Sequence, residues 1–246
     1  MKRTERRHLK QNEFQTVTMQ ALDMLGEKRR ELTTTILIVA VVGLIGAGWW
    51  AWRQHTQDKA HALLADAMVV QESRVGPPAE ATGGSGGTSY ATERDRAQAA
   101  IVKYKVAADT YPSTDAGLFA RYQEASLQVS LGNTADAVKA YQSVVDRAGD
   151  GLYGQMSKLG LAEAYTRGKQ YEQAITAYKE LAQRKDGQLP IDGILIQLGR
   201  TYRDAGKTAD AQQTFDRIVQ EFPDSPFAAD AKRELESIKK ATGAKA

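Results

Sequence analysis

The longest apolar stretch of the chain runs from Leu32 to Trp52, and it holds no charged residue over 21 positions. About 20 apolar residues are enough for a helix to cross a lipid bilayer. The stretch is longer than the apolar core of a signal peptide, and it ends in tryptophans where a cleavage site would need small residues. We therefore predict an uncleaved transmembrane signal anchor over residues 32–52.

A second pattern begins after Thr92, where an alanine, an aromatic residue and a small or aliphatic residue recur every 37 positions. The positions are Ala100, Ala137, Ala174 and Ala211, then Tyr104, Tyr141, Tyr178 and Phe215, then Ala107, Val144, Leu181 and Ile218. Steps of four and then three positions place the three residues of each set on one helix face. We predict an all-α fold in which one transmembrane helix is followed by an α-solenoid of about three and a half helical hairpins.

Composition shifts divide the chain into segments between these two patterns. Glycine, serine and proline concentrate between residues 76 and 87, which is typical of flexible linkers. The hairpin that contains Ala100 has only its second helix in place, and we expect residues 57–70 to supply the first. The predicted segments are a basic cytoplasmic tail at 1–31, the anchor at 32–52, a juxtamembrane helix at 53–72, a Gly/Ser/Pro-rich linker at 73–91, the repeat domain at 92–241, and a disordered C-terminus at 242–246.

The net charge of the chain lies entirely in its tail. Residues 1–31 carry eight basic and five acidic residues, which equals the net charge of +3 of the whole sequence. Basic residues flank a span on its cytoplasmic side, so the repeat domain is expected outside the cytoplasm, in the periplasm of a bacterium with the anchor in its inner membrane. Because the repeat domain has no basic surplus, we do not expect it to bind nucleic acid.

Few residues are suited to catalysis. The chain has no cysteine and only three histidines, His8, His55 and His61. Thiolate metal sites and cysteine nucleophiles are therefore excluded, and the repeat region has no imidazole. We expect no enzyme activity, no cofactor and no metal.

The last full hairpin matches the tetratricopeptide repeat (TPR) spacing throughout. Its residues are Leu198, Gly199, Tyr202, Gly206, Ala211, Phe215 and Pro223. In the preceding hairpin the turn glycine, Gly168, falls one place early. The chain thus resembles TPR proteins, whose stacked hairpins form a concave groove that binds peptides or helices.

The resemblance implies that the first helix of each hairpin lines this groove. The groove-facing residues would be Phe119, Tyr122, Gln123, Ser126, Met156, Glu163, Arg167, Ile196, Gln197, Arg200 and Arg203. Apolar side chains beside three arginines favour apolar partners with acidic character, because arginine both stacks and pairs.

The layout of a basic tail, one anchor and an extracytoplasmic repeat domain resembles the YfgM-like family of ancillary Sec translocon subunits. The basic start, from Met1 to Lys10, and the repeat-rich C-terminal half carry this resemblance. It implies contacts with the translocon channel, with emerging secretory chains and with periplasmic chaperones. Gly43 and Ala47 make one small-residue step in the anchor, which permits packing of a second copy.

A second interpretation is a cell-envelope scaffold. Residues 198–225 are also similar to repeats of outer-membrane assembly lipoproteins and of the Tol–Pal coordinator of division. Those proteins are lipid-anchored or secreted, whereas this chain keeps its anchor and has no lipobox cysteine. The anchor therefore favours the translocon interpretation.

Overall fold

The computed structural model describes residues 3–76, 89–184 and 187–243, and for residues 3–32 and 242–243 it describes the backbone alone. The helices are α1 (Arg3–Gln71), α2 (Glu93–Thr110), α3 (Asp115–Ser130), α4 (Thr134–Ala148), α5 (Leu152–Arg167), α6 (Tyr171–Ala182), α7 (Ile191–Asp204), α8 (Thr208–Glu221) and α9 (Ala228–Gly243). Residues 242 and 243, predicted to be disordered, end α9. The rest of that prediction, residues 244–246, lies outside the described residues.

The chain divides into two compact units, residues 1–55 and 56–246. In the first unit α1 runs through the predicted anchor, where Val42, Leu44 and Trp50 are exposed. Among the described residues, only this helix, from Thr33 to Gln71, is long and apolar enough to cross a membrane. The segment predicted as a juxtamembrane helix is the continuation of the same helix, because no helix-breaking residue interrupts it.

Within the second unit, the end of α1 packs against α2. Ala60, Leu64 and Ala67 are buried in one hydrophobic cluster with residues of α2, including Tyr104. The hydroxyl of Tyr104 donates a hydrogen bond of 2.5 Å to Oε1 of Gln71. The end of α1 thus takes the place of the first helix in the hairpin whose second helix is α2.

A short parallel ladder joins the two ends of the segment predicted as a linker. The strands are β1 (Arg74–Val75) and β2 (Ser89–Tyr90), with Arg74 opposite Ser89 and Val75 opposite Tyr90. The predicted linker is therefore ordered at both ends, and its centre, residues 77–88, lies outside the described residues. Two-residue strands have no detectable periodicity, which is why the sequence pattern did not predict them.

The residues that recur every 37 positions form the core of the solenoid. All four alanines are fully buried, and the four aromatic residues are at most 3% exposed. After α2 come the hairpins α3/α4, α5/α6 and α7/α8, and α9 packs on the last of them through Ala231, Leu235 and Ile238. The prediction of an all-α solenoid built from these registers is confirmed.

The turn inside each hairpin has the same backbone conformation. Gly132, Lys169 and Gly206 all have positive φ, at 83°, 59° and 75°. The residue after each one donates its N–H to a carbonyl five positions earlier, which is the Schellman closure of a helix end. Gly168, predicted to be the turn glycine, has φ −77°, so that assignment is wrong: the turn keeps the 37-residue register and places a lysine in the left-handed region.

Candidate functional site

The groove residues predicted from the sequence lie on α3, α5 and α7, the first helices of three successive hairpins. Six are half-buried: Phe119, Tyr122, Gln123, Ser126, Met156 and Arg200. Four are exposed: Glu163, Arg167, Gln197 and Arg203. Ten of the predicted residues are therefore accessible to solvent on these helices.

Ile196 is the exception, and its assignment to the groove is wrong. Its side chain is fully buried in a hydrophobic cluster that also contains Ala231 and Leu235 of α9. The equivalent positions one and two repeats earlier, Leu159 and Tyr122, are only partly buried. Ile196 belongs to the core at the end of the solenoid, where α9 joins its cluster.

Aromatic side chains from α3 and α5 meet at one end of this surface. The rings of Phe119 and Tyr122 stack with centroids 6.4 Å apart, and Phe119 lies 6.2 Å from Tyr153 of the next hairpin. Tyr122 also meets the buried ring of Tyr141 edge-on at 5.6 Å. We call Phe119, Tyr122 and Tyr153 the aromatic surface. Such rings bury a large apolar area and contribute strongly to protein interfaces.

Tyr153 was missed by sequence reasoning. It lies in the first turn of α5, three positions before Met156, which places both on the same side of the helix. That spacing is a signal in the sequence, but the position does not carry an aromatic residue in the other repeats, where Ala116 and Pro190 are found. A search based on the repeat therefore passes over it.

The tyrosines around this surface stay neutral. Burial raises the pKa of Tyr122, and the carboxylate of Glu163 raises it further. Burial also raises the pKa of Tyr141, whose hydroxyl hydrogen-bonds to Ser126. Both groups therefore remain protonated at physiological pH and add no charge at this place.

Arg167 was predicted to attract acidic partners, yet it is paired within its own helix. Its Nη2 donates to Oε1 of Glu163 at 2.9 Å, and its Nε donates to the same oxygen at 3.0 Å. Both side chains are about half exposed, so the pair contributes little to stability. It does place a carboxylate beside the positive charge of Arg167.

The other two arginines pair with α9. Arg200 contacts Asp230 at 3.1 Å and Glu234 at 3.5 Å. Arg203 contacts the second oxygen of Glu234 at 2.7 Å and Asp204 of its own helix at 2.9 Å. We call Arg200, Arg203, Asp230 and Glu234 the charged cluster. It holds two guanidinium groups and two carboxylates, so it has no surplus of positive charge.

A cavity of about 180 Å³ lies between α5 and α7. It is lined by Leu159, Glu163, Tyr178, Leu189, Pro190, Gly193, Ile194 and Gln197. Two predicted groove residues, Glu163 and Gln197, are thus brought together at its rim. Its walls are otherwise mainly apolar, which suits a hydrocarbon side chain better than a charged one.

Metal ligands do not gather anywhere in the part of the chain that the structure describes. There, no group of three or more histidine, cysteine, aspartate or glutamate side chains is arranged to hold an ion. His55 and His61 both lie on α1 and are exposed.

Comparisons with known proteins identify the repeat. The family described as tetratricopeptide repeat-like domain matches residues 28–189, and the family described as tetratricopeptide repeat matches residues 195–225. The comparison with curated protein sequences gives no significant match.

Solved structures share the fold at low sequence identity. The TPR-like repeats of a Podosopora anserina kinesin light chain superpose with a TM-score of 0.57 at 14% identity, over 76% of this chain and 88% of that one. BtubC from P. vanneervenii gives a TM-score of 0.52 at 18% identity, over 61% of this chain and 70% of that one. At such identities the similarity is one of fold.

Proposed function

Because the chain belongs to the tetratricopeptide repeat-like domain family, we propose that it is a non-enzymatic membrane-anchored protein that binds other proteins or peptides. The aromatic surface carries this proposal. Phe119, Tyr122 and Tyr153 come from two successive hairpins, remain partly accessible and bear no charge. Rigid aromatic side chains of this kind are the usual anchors of protein interfaces.

The apolar helix supports a place at a membrane. The uncharged stretch of α1 exposes its isoleucine, leucine and valine side chains, which is costly in water and favourable in lipid. Basic residues concentrate on its N-terminal side, and Trp49, Trp50 and Trp52 mark its other end, which favours a cytoplasmic N-terminus and an extracytoplasmic repeat domain. We propose the bacterial inner membrane, with the repeats in the periplasm.

Together, the anchor and the binding surface support a specific role beside the Sec translocon, as in the YfgM-like family. A protein held in the membrane next to the channel meets chains as they emerge, while their apolar segments are still exposed. The aromatic surface would contact these segments and pass the chain to periplasmic chaperones.

In-cell photo-crosslinking tests this role. A photoreactive residue is placed at Tyr153 on the aromatic surface, at Val42 in the apolar helix, and at the exposed Gln213 of α8 as a matched control, and captured proteins are identified by mass spectrometry. We expect channel subunits at Val42, with diverse secretory chains and chaperones at Tyr153. The control position is expected to capture few of these. A single dominant envelope protein at Tyr153, with no channel subunit at Val42, would contradict the translocon role and support a dedicated scaffold.

A further inference from the structure

We propose that the aromatic surface selects uncharged apolar segments and that the charged cluster takes no part in binding them. This inference rests on the proposed function, since it names the class of segment that the same surface binds. It differs from the preference for acidic partners that the arginines suggest in the sequence. The reason lies in the ion pairs that only the folded chain forms.

The ion pairs remove the attraction for an acidic ligand. Arg167 is neutralised by Glu163, and Arg200 and Arg203 share Glu234. An incoming carboxylate would have to displace a carboxylate that is already held by the fold, and it would exchange one ion pair for another. An acidic segment therefore gains little from these arginines and loses its own hydration.

The charged cluster is also restrained from opening. The side chain of Glu234 is only 17% exposed and contacts both Arg200 and Arg203, so one carboxylate joins two arginines of α7 to α9. Releasing either arginine toward a ligand would leave a half-buried carboxylate with fewer partners, which is unfavourable. The cluster therefore holds α9 against α7 and is not a docking site.

The apolar contacts lie at the other end of the surface, and they continue along α5. Tyr153 contacts Phe119 in the first turn of α5, and Leu159 two turns later lines the cavity beside α7. An extended segment that lies along α5 would place one side chain on the rings and another in the cavity of about 180 Å³. Both places are lined mainly by apolar side chains.

The size and charge of the side chains at equivalent positions also change from one repeat to the next. This change supports the separation of an apolar binding surface from the charged cluster. Phe119, Met156 and Gly193 occupy equivalent positions 37 residues apart, and Ser126, Glu163 and Arg200 occupy another such set. Apolar bulk therefore decreases from α3 to α7 while charge increases. The aromatic surface therefore lies in the first two of these hairpins, and the charged cluster joins the third to α9.

Peptide titration of the full chain in lipid nanodiscs tests the proposal. Three synthetic peptides of equal length are compared by isothermal titration calorimetry: a neutral one with leucine, phenylalanine and valine among serine and glycine, the same peptide with aspartates in place of serines, and an all-polar version without the apolar residues. We expect the neutral peptide to bind at least about tenfold tighter than the polar one. We also expect the affinity for the neutral peptide to change less than about twofold when the salt concentration is raised tenfold.

Three variants locate the effect. Tyr153→Ala is expected to weaken binding of the neutral peptide about tenfold, because it removes a partly exposed ring. Arg167→Gln is expected to change the affinity for this peptide less than about twofold. Tyr153→Phe keeps the ring and is expected to bind like the parent chain, which separates a loss of contact from a loss of folding. Circular dichroism of each variant checks that the helices persist.

Three results would overturn the proposal. The first is tighter binding of the acidic peptide that is lost in Arg200→Gln, and the second is equal binding of all three peptides. The third is absence of binding by any of them while the helices persist. Failure of the translocon role would instead appear in the crosslinking experiment, which does not depend on peptide selectivity, so the two failures are distinguishable.

Discussion

At the scale of single residues, the turn inside the second hairpin departs from its neighbours. Lys169 has φ 59°, in a region that residues with a Cβ seldom adopt, while Gly132 and Gly206 occupy the equivalent positions without strain. The three turns nevertheless make the same hydrogen bonds. The register of the repeat therefore determines the backbone conformation, and the lysine adopts it at a cost.

Replacing this lysine is expected to stabilise the protein. The left-handed region costs a non-glycine residue roughly 1–2 kcal/mol, and glycine removes that cost while adding about 0.5–1 kcal/mol of chain entropy in the unfolded state. We expect Lys169→Gly to raise the free energy of unfolding by about 0.5 kcal/mol, measured by urea denaturation in detergent. Gly206→Ala, the opposite change at the equivalent turn, is expected to lower it by about 1 kcal/mol. Destabilisation by Lys169→Gly would show that the lysine side chain contributes more than its backbone costs.

A second prediction concerns the close contact between α7 and α8. A Cβ on Gly199 of α7 would lie 2.4 Å from Cε1 of Phe215 on α8, a ring that is fully buried. We expect Gly199→Ala to lower the free energy of unfolding by about 1–3 kcal/mol, because the ring cannot move away within a packed core. Gly193→Ala in the same helix is a matched control, since its Cβ would meet Phe227 at 3.5 Å, an ordinary contact distance. This control is expected to be neutral or stabilising by about 0.5 kcal/mol, and equal destabilisation by both substitutions would contradict the steric explanation.

At the scale of elements, α1 has two different parts in one continuous helix. Its apolar stretch belongs to the first unit, and its last turns belong to the second, where they cover α2. The buried residues there, Ala60, Leu64 and Ala67, follow helical spacing, while Val69 on the same turns is 68% exposed. Amphipathic packing of this kind stabilises the repeat at this end of the solenoid.

Truncating a buried residue of this segment is expected to loosen the first hairpin. We expect Leu64→Ala to lower the free energy of unfolding by about 2–4 kcal/mol, because it leaves a cavity against α2. The exposed Val69→Ala provides the control in the same helix and is expected to change the free energy by less than about 0.5 kcal/mol. Hydrogen exchange detects the change as faster exchange of the amides of α2, with those of α7 and α8 unaffected, since contacts in a solenoid reach only neighbouring repeats. Equal loss of protection in all helices would show that the solenoid unfolds as one unit.

At the scale of the whole molecule, the repeated aromatic positions give the protein a common response to pH. Burial, with a smaller contribution from the carboxylate of Glu72, raises the pKa of Tyr104 to about 12 from its ordinary value of 10.0. Burial is also the main reason why the pKa values of Tyr141 and Tyr178 are raised. All three hydroxyl groups therefore keep their protons in the folded chain at pH values where the unfolded chain loses them.

Alkaline unfolding follows from this difference. Below pH 10 the folded and unfolded states are equally protonated at these sites, so their full contribution to stability is present. As pH rises from about 10 to about 12, the unfolded state binds fewer protons, and the free energy of unfolding decreases. We expect Tyr178→Phe to reduce this decrease, measured as the pH dependence of urea denaturation. The exposed carboxylates give no such alkaline change, and an unchanged slope in the variant would contradict the role of Tyr178.

The helices of the repeat domain and the repeated residues that they bury could be predicted from the amino-acid sequence alone. A period of 37 positions with steps of four and three places Tyr141 and its equivalents on one helix face, and that face is buried wherever hairpins stack. The uncharged stretch of α1 is just as local a property, because transfer into lipid depends on the composition of a single helix. These features were predictable because each depends on residues close together in the chain.

The charge distribution on the solenoid surface and the exposure of individual side chains depend on contacts between helices, and they could not be predicted from the sequence. Arg200 meets Asp230 across 30 positions, and Ile196 lies in a core that α9 completes, so helical spacing alone assigned both to a groove. Lys169 takes its backbone conformation from the repeat, and Tyr153 meets Phe119 from another hairpin. Periodicity identifies the face on which a residue lies. It does not identify the partner that the neighbouring helix brings to that face, and the partner decides whether an arginine is available or an isoleucine is exposed.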